Sequence, residues 1–553
     1  MQPNGSELLM VSPRQTQANK DRATACTFAG NAASSSASWA MRLAVAIPLL
    51  AALGALIMPR AWIIAMCSDD AFYYFTIARN IVEGRGCTFD GVAPTNGFHP
   101  LYMLICTGIF YLAGSDPDLP IRLILSLNFL FALLSVYITI RLVNSYLAPG
   151  WGWLAGLLFA FPPLFGAMTN GMETGLMVAC TSVLVYLCCV YRIHRPSSGM
   201  LGGLVFGLGV SVVTLARLDS AFLLPAAACL VMLRILREPG QAGCVLRHGL
   251  GMAVGFLPLF GAFVLWNLSY FGMIMPISGQ VKSAAPSLGR MLELTDNKSL
   301  GLLLLMTIGL CLLLTGLLRR HAHGRVALLS ESSLPVLGLA CLFHYAYIAM
   351  CVSWGAYWWH FSLYGLVLVL LIPQVVFLLT SALPSVRRPF AAACVIAFVG
   401  FGCLNGLRIF YVGQKHASWL AAAQWIRDEL PADAVIGMKD AGLVGYYSFR
   451  QVVNLDGKAN ERAYWTSVLE GNPDEYLKTR GVDYIAEVSA CYHGDIAYMR
   501  IPRPQQPALL YQMQRKNEVY RSRPYHAPPA ALNIAVPGLL TIWQYDGSLQ
   551  LSS

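Results

Sequence analysis

The segment MRLAVAIPLLAALGALIMPRAWIIAMCSDDAFYYFTIARNIVEG, residues 41–84, joins a long apolar run to a pair of acidic residues. Its apolar part, 43–66, is long enough to cross the ~30 Å hydrocarbon core of a bilayer as a helix. Asp69 and Asp70 follow where that run ends. After them, apolar residues recur with helical spacing, which predicts an amphipathic surface helix over 69–84. The segment therefore predicts a membrane protein with an acidic pair at the membrane edge.

The composition of the whole chain is that of a polytopic membrane protein. Of its 553 residues, 56% are hydrophobic and 12% are charged, whereas soluble domains carry roughly 25% charged residues. The mean hydropathy is +0.57. These values exclude a soluble enzyme, a DNA-binding module and a disordered scaffold. We attribute the net charge of +10 to Lys and Arg in cytoplasmic loops, and no nucleic-acid partner is expected.

Ten further apolar segments predict about 11 membrane spans in total. They lie near 121–147, 151–169, 173–191, 200–216, 219–235, 249–268, 299–318, 333–353, 361–381 and 390–411. The basic loops between them are all cytoplasmic only if the apolar piece 101–114 does not cross, and its length of about 14 residues favours a re-entrant or interfacial segment. This arrangement predicts a cytoplasmic N-terminus and an extracytoplasmic C-terminus.

The predicted chain has three parts. Residues 1–42 are polar and predict a disordered cytoplasmic tail. Residues 43–411 form a transmembrane domain with outer loops at 67–120 and 269–298. In residues 412–553 the composition changes, and the short apolar segments AVIGM, QVVNL and DYIAEV predict buried strands separated by helices. The fold class predicted is an α-helical polytopic membrane protein with a C-terminal extracytoplasmic α/β domain.

The acidic pair has two interpretations. Asp69 can cap the helix that begins there, as acidic residues at helix starts often do. A second carboxylate beside it adds repulsion unless a cation, a proton or an arginine compensates. Two carboxylates at a membrane edge therefore also suit a divalent cation, or the removal of a proton from a hydroxyl group.

Ionisable or aromatic residues stand in every predicted outer turn. They are Asn96 and His99 in NGFHP, Glu173 in GMETGL, Arg217 beside Asp219, Lys282, and His360 beside Trp358 and Trp359. Each also has a plainer interpretation, such as a turn residue, an exposed ion pair, a snorkelling lysine or an interfacial aromatic belt. Because these turns converge on one rim, together they indicate a cavity for an anionic lipid-phosphate donor and a hydroxyl acceptor.

The first outer loop, DDAFYYFTIARNIVEGRGCTFDG followed by TNGFHPLY, resembles that of GT-C glycosyltransferases. These polytopic enzymes transfer a sugar from a polyprenyl phosphate on the outer or lumenal membrane face. The closer resemblance is to the mycobacterial terminal arabinofuranosyltransferase and its bacterial relatives. It extends in patches through GMETGL, the R-x-D at 217–219, YFGMIMP…K at 270–282 and NLDGKAN at 454–460.

The resemblance implies a GT-C-like fold and roles for several residues. Asp69 matches the carboxylate that activates the acceptor, with Asp70 as its partner, and the pair would hold a divalent cation such as Mg, Mn or Ca if one is used. Lys282 and His360 are implied to face the donor phosphate. Relatives often carry an Arg in the segment where this chain has Trp358, Trp359 and His360.

The predicted function is transfer of a sugar from a polyprenyl-phosphate donor to a hydroxyl of a cell-envelope glycan, lipid or protein, on the outer face of a bacterial cell membrane. The alternative is a lipid or solute transporter, or a flippase, without transferase activity. A transporter predicts ionisable residues buried at mid-span, whereas here they cluster at outer turns. Cys67 and Cys87 either form a disulfide that closes the first loop or remain unpaired.

Overall fold

The computed structural model describes residues 33–287, 333–382, 385, 387–545 and 550–551, apart from short internal gaps. The gaps are at 148, 355–356, 489–490, 494–495, 504–505, 523–524, 527–536 and 539. The predicted span at 299–318 and most of the predicted tail 1–42 lie outside the described residues. The first described helix begins at Ala33, within the segment predicted as tail.

Helices make up the membrane part of the chain. In order they are α1 (Ala33–Ile57), α2 (Arg60–Met66), α3 (Asp69–Val82), α4 (Pro100–Ala113), α5 (Leu119–Tyr146), α6 (Gly152–Phe159), α7 (Pro162–Met168), α8 (Thr174–Tyr191), α9 (Gly199–Ala216), α10 (Leu223–Arg237), α11 (Ala242–Phe271), α12 (Ile277–Lys282), α13 (Leu334–Cys351), α14 (Ser362–Ala382) and α15 (Arg387–Glu429). Short 3₁₀ turns at Leu218–Phe222 and Trp358–Phe361 precede α10 and α14.

Among the described residues, seven helical segments are long and apolar enough to cross a membrane. They are Leu119–Tyr146, Thr174–Tyr191, Pro196–Ala216, Leu218–Arg237, Pro239–Phe271, Leu334–Cys351 and Trp358–Ser381. The piece predicted not to cross is the 14-residue helix α4. The chain is thus a multi-pass, mostly helical membrane protein, which confirms the predicted fold class. The total of 11 spans and the orientation of the termini stay predictions.

Helix boundaries differ from the predicted spans where proline intervenes. The predicted span 43–66 breaks at Pro59, between α1 and α2, and the predicted span 151–169 breaks before Pro162, the first residue of α7. Proline lacks an N–H group and its ring clashes with the preceding turn, which favours a helix end there, although α1, α11 and α14 continue through Pro48, Pro258 and Pro373. The predicted span 390–411 is instead part of a longer continuous helix, α15, of 43 residues, which extends into the C-terminal domain.

Glycines bring helices α9 and α11 into close contact. Gly203 and Gly207 of α9 and Gly251 and Gly255 of α11 face the opposite helix, and a Cβ at any of them would lie within 2.2 Å of a backbone carbonyl oxygen there. Spans pack in this way because lipid supplies no hydrophobic force between helices, and small residues allow van der Waals contact of the backbones. This packing holds α11, whose end leads into α12 beside the site described below.

The C-terminal domain is built on a five-stranded sheet in the order β2-β1-β3-β10-β7. Its strands are β1 (Val435–Met438), β2 (Gln451–Asn454), β3 (Tyr484–Val488), β7 (Glu518–Arg521) and β10 (Leu540–Gln544), and its helices are α16 (Gly442–Tyr447), α17 (Arg462–Glu470) and α18 (Pro473–Thr479). Strand β1 runs parallel to β2 and β3. The three predicted strands correspond to β1, β2 and β3.

A second sheet follows with the strand order β11-β6-β5-β4. Its members are β4 (Cys491–His493), β5 (Ile496–Arg503), β6 (Gln506–Gln514) and β11 (Gln550–Leu551), and the short strands β8 (Tyr525–His526) and β9 (Pro537–Gly538) form a separate pair. The predicted α/β domain is therefore present, with an additional antiparallel sheet.

The C-terminal domain docks on α3 through α16. The ring of Phe72 in α3 lies 5.9 Å from that of Tyr446, and Arg79 donates a hydrogen bond of 2.9 Å to the Tyr446 carbonyl. At Gly442, a Cβ would lie 2.1 Å from the carbonyl oxygen of Asp69, so only glycine fits this contact. Docking brings the loops at the carboxyl ends of β1 and β2 over the start of α3.

The first outer loop folds back on α3 without a bridge between Cys67 and Cys87. Both cysteines are free in the structure, the first buried and the second partly exposed. The side-chain amide of Asn80 instead donates hydrogen bonds to the carbonyls of Thr88 (2.8 Å) and Phe89 (3.1 Å). The loop is thus closed by a buried amide rather than by a disulfide.

Candidate active site

A cavity of about 360 Å³ lies where α3, α12, α13 and the C-terminal domain meet. Its polar lining residues are Asp70, Tyr73, Tyr74, His99, Glu173, Arg217, Asp219, Ser278, Lys282, His344, Tyr347, His360 and Lys458. Six of the eight predicted site residues line this cavity. Asp69 and Asn96 do not.

Asp70 is the aspartate of the pair that lines the cavity. It is the second residue of α3, and its Oδ1 atom lies 3.3 Å from the Nζ atom of Lys458. Burial acts to raise the pKa of Asp70, but the ammonium groups of Lys458 and Lys282 outweigh it and hold the pKa below the usual value. The Asp70 side chain is therefore an ionised carboxylate at neutral pH.

Lys458 reaches the cavity from the loop that follows β2. Its Nζ atom lies 3.2 Å from Asp456 and 3.6 Å from Asp440, in addition to the contact with Asp70. The Lys458 side chain is 11% exposed. Burial acts to lower its pKa, but Asp456 and Asp70 dominate and raise it well above the usual value. Lys458 therefore remains charged.

Asp69 faces the C-terminal domain instead of the cavity. Its Oδ1 atom accepts a hydrogen bond of 2.8 Å from the Leu443 amide, and its Oδ2 atom accepts one of 3.2 Å from the Gly442 amide, at the start of α16. Burial, and then the charge of Asp440, raise the pKa of Asp69 to about 8. Such a pKa would suit a general base, but both oxygens are engaged with backbone amides of the docked domain.

Arg217 is held by two carboxylates in another wall. Its Nη1 atom lies 2.8 Å from Oε1 of Glu173, and its Nε atom lies 2.9 Å from Oδ1 of Asp219. Arg217 is 3% exposed and Glu173 is 1% exposed. The Nε2 atom of His99 lies 3.5 Å from the same Glu173 oxygen. Because two carboxylates neutralise its charge, Arg217 attracts an anionic ligand only weakly.

Lys282 lies at the end of α12 and lines the same cavity. Within the described part of the chain, no carboxylate lies within ion-pair distance of its ammonium group. Burial lowers the pKa of Lys282, and Asp70 acts against this shift. Since even partial burial of an unpaired ammonium is costly, a nearby anion would be bound favourably.

Asn96 supports this segment without contacting the cavity. Its side chain is buried, and its Oδ1 atom accepts a hydrogen bond of 2.8 Å from the Ile277 amide, the first residue of α12. Its Nδ2 atom donates to Oδ1 of Asn267 in α11 at 3.2 Å. His360 does line the cavity, and its Nδ1 atom accepts a hydrogen bond of 3.0 Å from the Tyr357 amide. Asn96 thus positions the helix that carries Lys282.

Lys458, His344 and Asp219 belong to the cavity but were not predicted as site residues. Asp219 was interpreted as a local partner of Arg217, and its Oδ2 atom also lies 3.8 Å from Nε2 of His344. Lys458 lies in NLDGKAN, a segment noted for resemblance alone. A usable signal was present: this turn directly follows a parallel strand, and ligand sites form at the carboxyl ends of such strands.

The predicted divalent-cation site does not fit the two aspartates. Asp69 directs both oxygens to backbone amides, whereas Asp70 directs one to an ammonium group, so the carboxylates do not converge. Within the described ranges, no group of three or more His, Cys, Asp or Glu residues is arranged to hold a metal ion. The positive charge beside Asp70 is that of Lys458.

Comparisons with known proteins give a partial family match and distant structural similarity. Residues 408–526 match a family described as a domain of unknown function (DUF8728). No curated protein matches the sequence significantly. The structure is similar to that of ArnT from Cupriavidus metallidurans in the apo state, with 14% identity, a TM-score of 0.48, and coverage of 82% of this chain and 94% of that one.

Similar structures also include the oligosaccharyltransferase of Archaeoglobus fulgidus in the apo form. The identity is 13%, the TM-score is 0.47, and the match covers 81% of this chain and 69% of that one. For the same archaeal enzyme, AglB, in complex with an inhibitory peptide and a dolichol-phosphate, these values are 11%, 0.43, 81% and 69%. The resemblance to GT-C glycosyltransferases, and within them to arabinofuranosyltransferases, stays a prediction. At such low identity the chemistry has to be derived from the cavity itself.

Proposed function

We propose that this chain is a membrane glycosyltransferase that moves a sugar from a polyprenyl-phosphate donor to a hydroxyl of a cell-envelope glycan, lipid or protein. One observation carries the proposal: a single cavity is lined both by an ionised carboxylate, Asp70, and by an ammonium group without a carboxylate partner among the described residues, Lys282. The first can accept a proton from a hydroxyl, and the second can neutralise a phosphate.

The donor phosphate is assigned to Lys282 rather than to Arg217. Arg217 already makes ion pairs with Glu173 and Asp219, whereas the charge of Lys282 is available. The segment before Lys282 is apolar and exposed, with Ile274 66% and Met275 43% exposed. These side chains suit contact with a polyprenyl chain that enters from the bilayer.

The acceptor hydroxyl is assigned to Asp70. As the bond between the anomeric carbon and the phosphate oxygen breaks, the departing phosphate keeps the electron pair and its charge is balanced by Lys282. The acceptor oxygen forms the new bond to the anomeric carbon, and its proton passes to Asp70. A carboxylate with a lowered pKa is a weak base, but it is competent when the hydroxyl loses its proton late.

Asp70 replaces Asp69, the residue implied by the family resemblance, in this role. The reason is geometric, since Asp70 lines the cavity and both oxygens of Asp69 accept amide hydrogen bonds. Asp69 then anchors the C-terminal domain, which carries Lys458. The two assignments make opposite predictions for single substitutions, which the Discussion develops.

A transfer assay tests the proposed function. The full chain in lipid nanodiscs is incubated with a panel of polyprenyl-phosphate sugars and a labelled envelope acceptor, and glycosylated product and released polyprenyl phosphate are quantified. One donor is expected to give both in equal amounts. The proposal fails if no donor yields product, and movement of intact donor across proteoliposomes would then favour a transporter.

Lys282→Met tests the donor site within the same assay. Loss of a charged contact costs about 1.5–3 kcal/mol, so the apparent donor affinity should fall by roughly 10- to 100-fold. Lys478→Met removes an exposed lysine of α18 and serves as the matched control. Equal donor affinity in both variants would remove Lys282 from the donor site.

A further inference from the structure

We propose that Lys458 is the resident cation of this site, an ammonium group that the C-terminal domain places beside Asp70 where a divalent metal ion would otherwise be needed. This role rests on the proposed transferase function and adds a positioning residue to it. It has two consequences: transfer requires no metal ion, and Asp70 is correctly charged and oriented only while the C-terminal domain is docked.

The turn that carries Lys458 is held rigidly from within its own domain. It follows Asn454, the last residue of β2, whose Oδ1 atom accepts a hydrogen bond of 3.2 Å from the Ala459 amide. The Lys458 amide donates to Oδ1 of Asp456 at 2.9 Å. Gly457, between them, has a φ of +80°, a conformation that favours glycine. The backbone of Lys458 is therefore held in place by contacts that do not involve its side chain.

The same turn is wedged against the membrane part on two sides. A Cβ at Gly97, in the first outer loop, would lie 2.0 Å from the Lys458 carbonyl oxygen. A Cβ at Gly457 would lie 3.3 Å from the side chain of Val281, in α12. Glycine at both positions allows the turn to approach the membrane part this closely, which places the Lys458 ammonium in the cavity wall beside Asp70.

The charges around Lys458 explain why a metal ion is not needed there. Its Nζ atom lies within 3.6 Å of carboxylate oxygens of Asp70, Asp440 and Asp456. The Tyr73 hydroxyl donates to Asp456 at 3.2 Å and completes the cluster. A divalent ion at Asp70 would have to displace a buried ammonium that is paired with three carboxylates, and breaking such pairs is strongly unfavourable.

The pKa of Asp70, seen in the pH profile of kcat, distinguishes this role of Lys458 from a purely structural one. The charge of Lys458 favours ionised Asp70, so Lys458→Met should raise the pKa of Asp70 and shift the acidic limb of the pH profile of kcat to higher pH. Lys458→Arg keeps the charge and should keep the limb in place. A lysine that merely supports folding would change the yield of active protein without shifting the limb.

Metal dependence is tested on the wild-type chain. Turnover should be unchanged by EDTA and by added Mg²⁺ or Mn²⁺. Loss of turnover in EDTA that Mg²⁺ restores would overturn the proposal, as would a Lys458→Met limb that coincides with that of the wild type. If Lys458→Met does not fold, the turnover of the wild type in EDTA and the pH profile of Lys458→Arg still test the proposal.

Two measurements do not depend on turnover, so a failure of the Lys458 proposal can be distinguished from a failure of the proposed transferase function. In a double-mutant cycle of thermal unfolding, Asp70→Asn with Lys458→Met should lower Tm by less than the sum of the two single losses. The exposed pair Arg427–Asp428, at 2.8 Å, serves as the matched control and should be nearly additive. Additivity of the Asp70–Lys458 pair would overturn the proposal.

The second measurement is Mn²⁺ titration followed by electron paramagnetic resonance. The wild-type chain and Asp70→Asn should give the same titration, because neither binds the ion at Asp70. A tight Mn²⁺ site in the wild type that is lost in Asp70→Asn would show that a metal ion, and not Lys458, is the cation of the site.

Discussion

Substituting the two adjacent aspartates one at a time separates the chemical role from the docking role. Asn at position 70 keeps the shape of the side chain but cannot accept a proton. A positioned general base contributes typically 10²–10⁴-fold, so Asp70→Asn should lower kcat by at least ~100-fold. Because Asp70 lies at the cavity wall and not in the packed core, the variant should fold and bind the donor.

Asp69→Asn should instead weaken the docking of the C-terminal domain. Asp69 accepts two hydrogen bonds, from the amides of Gly442 (3.2 Å) and Leu443 (2.8 Å). Asn offers a single acceptor oxygen, so one of these amides loses its partner. The loss of one such bond costs about 1–3 kcal/mol. We expect a lower Tm, but a kcat within about threefold of the wild type, because the contacts of Arg79 and Phe72 with Tyr446 keep the domain docked.

The assay measures kcat, donor affinity and Tm for both variants, with Asp433→Asn as the control at an exposed position. The pattern that refutes the reasoning is a folded, donor-binding Asp69→Asn protein with ~100-fold lower turnover, beside an Asp70→Asn protein that turns over normally. That result would restore Asp69 as the base and would require its carboxylate to leave the α16 amides during the reaction.

Three further outcomes are expected. The pKa of Asp69 is raised to about 8 in the folded chain from about 4 when unfolded. Its contribution to stability is therefore present at low pH and is lost as pH rises through this window, by at most about 1.4 kcal/mol per pH unit. Tm measured between about pH 5 and 8 should fall less steeply in Asp69→Asn than in the wild type. Arg217→Met leaves the buried Glu173 and the partly exposed Asp219 without their arginine and should cost about 3–5 kcal/mol; Tm and expression should fall sharply, with partial recovery in Arg217→Lys. Gly442→Ala forces a Cβ to within 2.1 Å of the Asp69 carbonyl oxygen; limited proteolysis should release the C-terminal domain faster than in Gly261→Ala, where a Cβ meets no atom within 4 Å.

The sequence by itself determined that the chain is a multi-pass, mostly helical membrane protein with a C-terminal sheet domain. Hydropathy over windows of about 20 residues is a local property, because a span must satisfy its own backbone hydrogen bonds in lipid. The strands β1, β2 and β3 were predicted because a short apolar run between polar segments is also a local signal, although their hydrogen bonds go to neighbouring strands. Helix ends were less accurate, as at Pro59 and Pro162, where a break within an apolar run changes hydropathy very little.

The sequence also predicted six of the residues that line the cavity. Lys282 and Arg217 were both predicted to face a donor phosphate, and both do line the cavity. What the pattern could not decide is which of these cations is already neutralised. That depends on Glu173, which is 44 residues from Arg217 in sequence and 2.8 Å from it in space.

Only the tertiary structure decided how the acidic pair is used. Successive residues of a helix point about 100° apart, so Asp69 and Asp70 can face different partners, and adjacency does not tell which of them lines the cavity. The deciding partners lie far along the chain: Leu443 is 374 residues from Asp69, and Lys458 is 388 residues from Asp70. Contacts of that separation come from the docking of one folded domain on another, and no local pattern of residues encodes them.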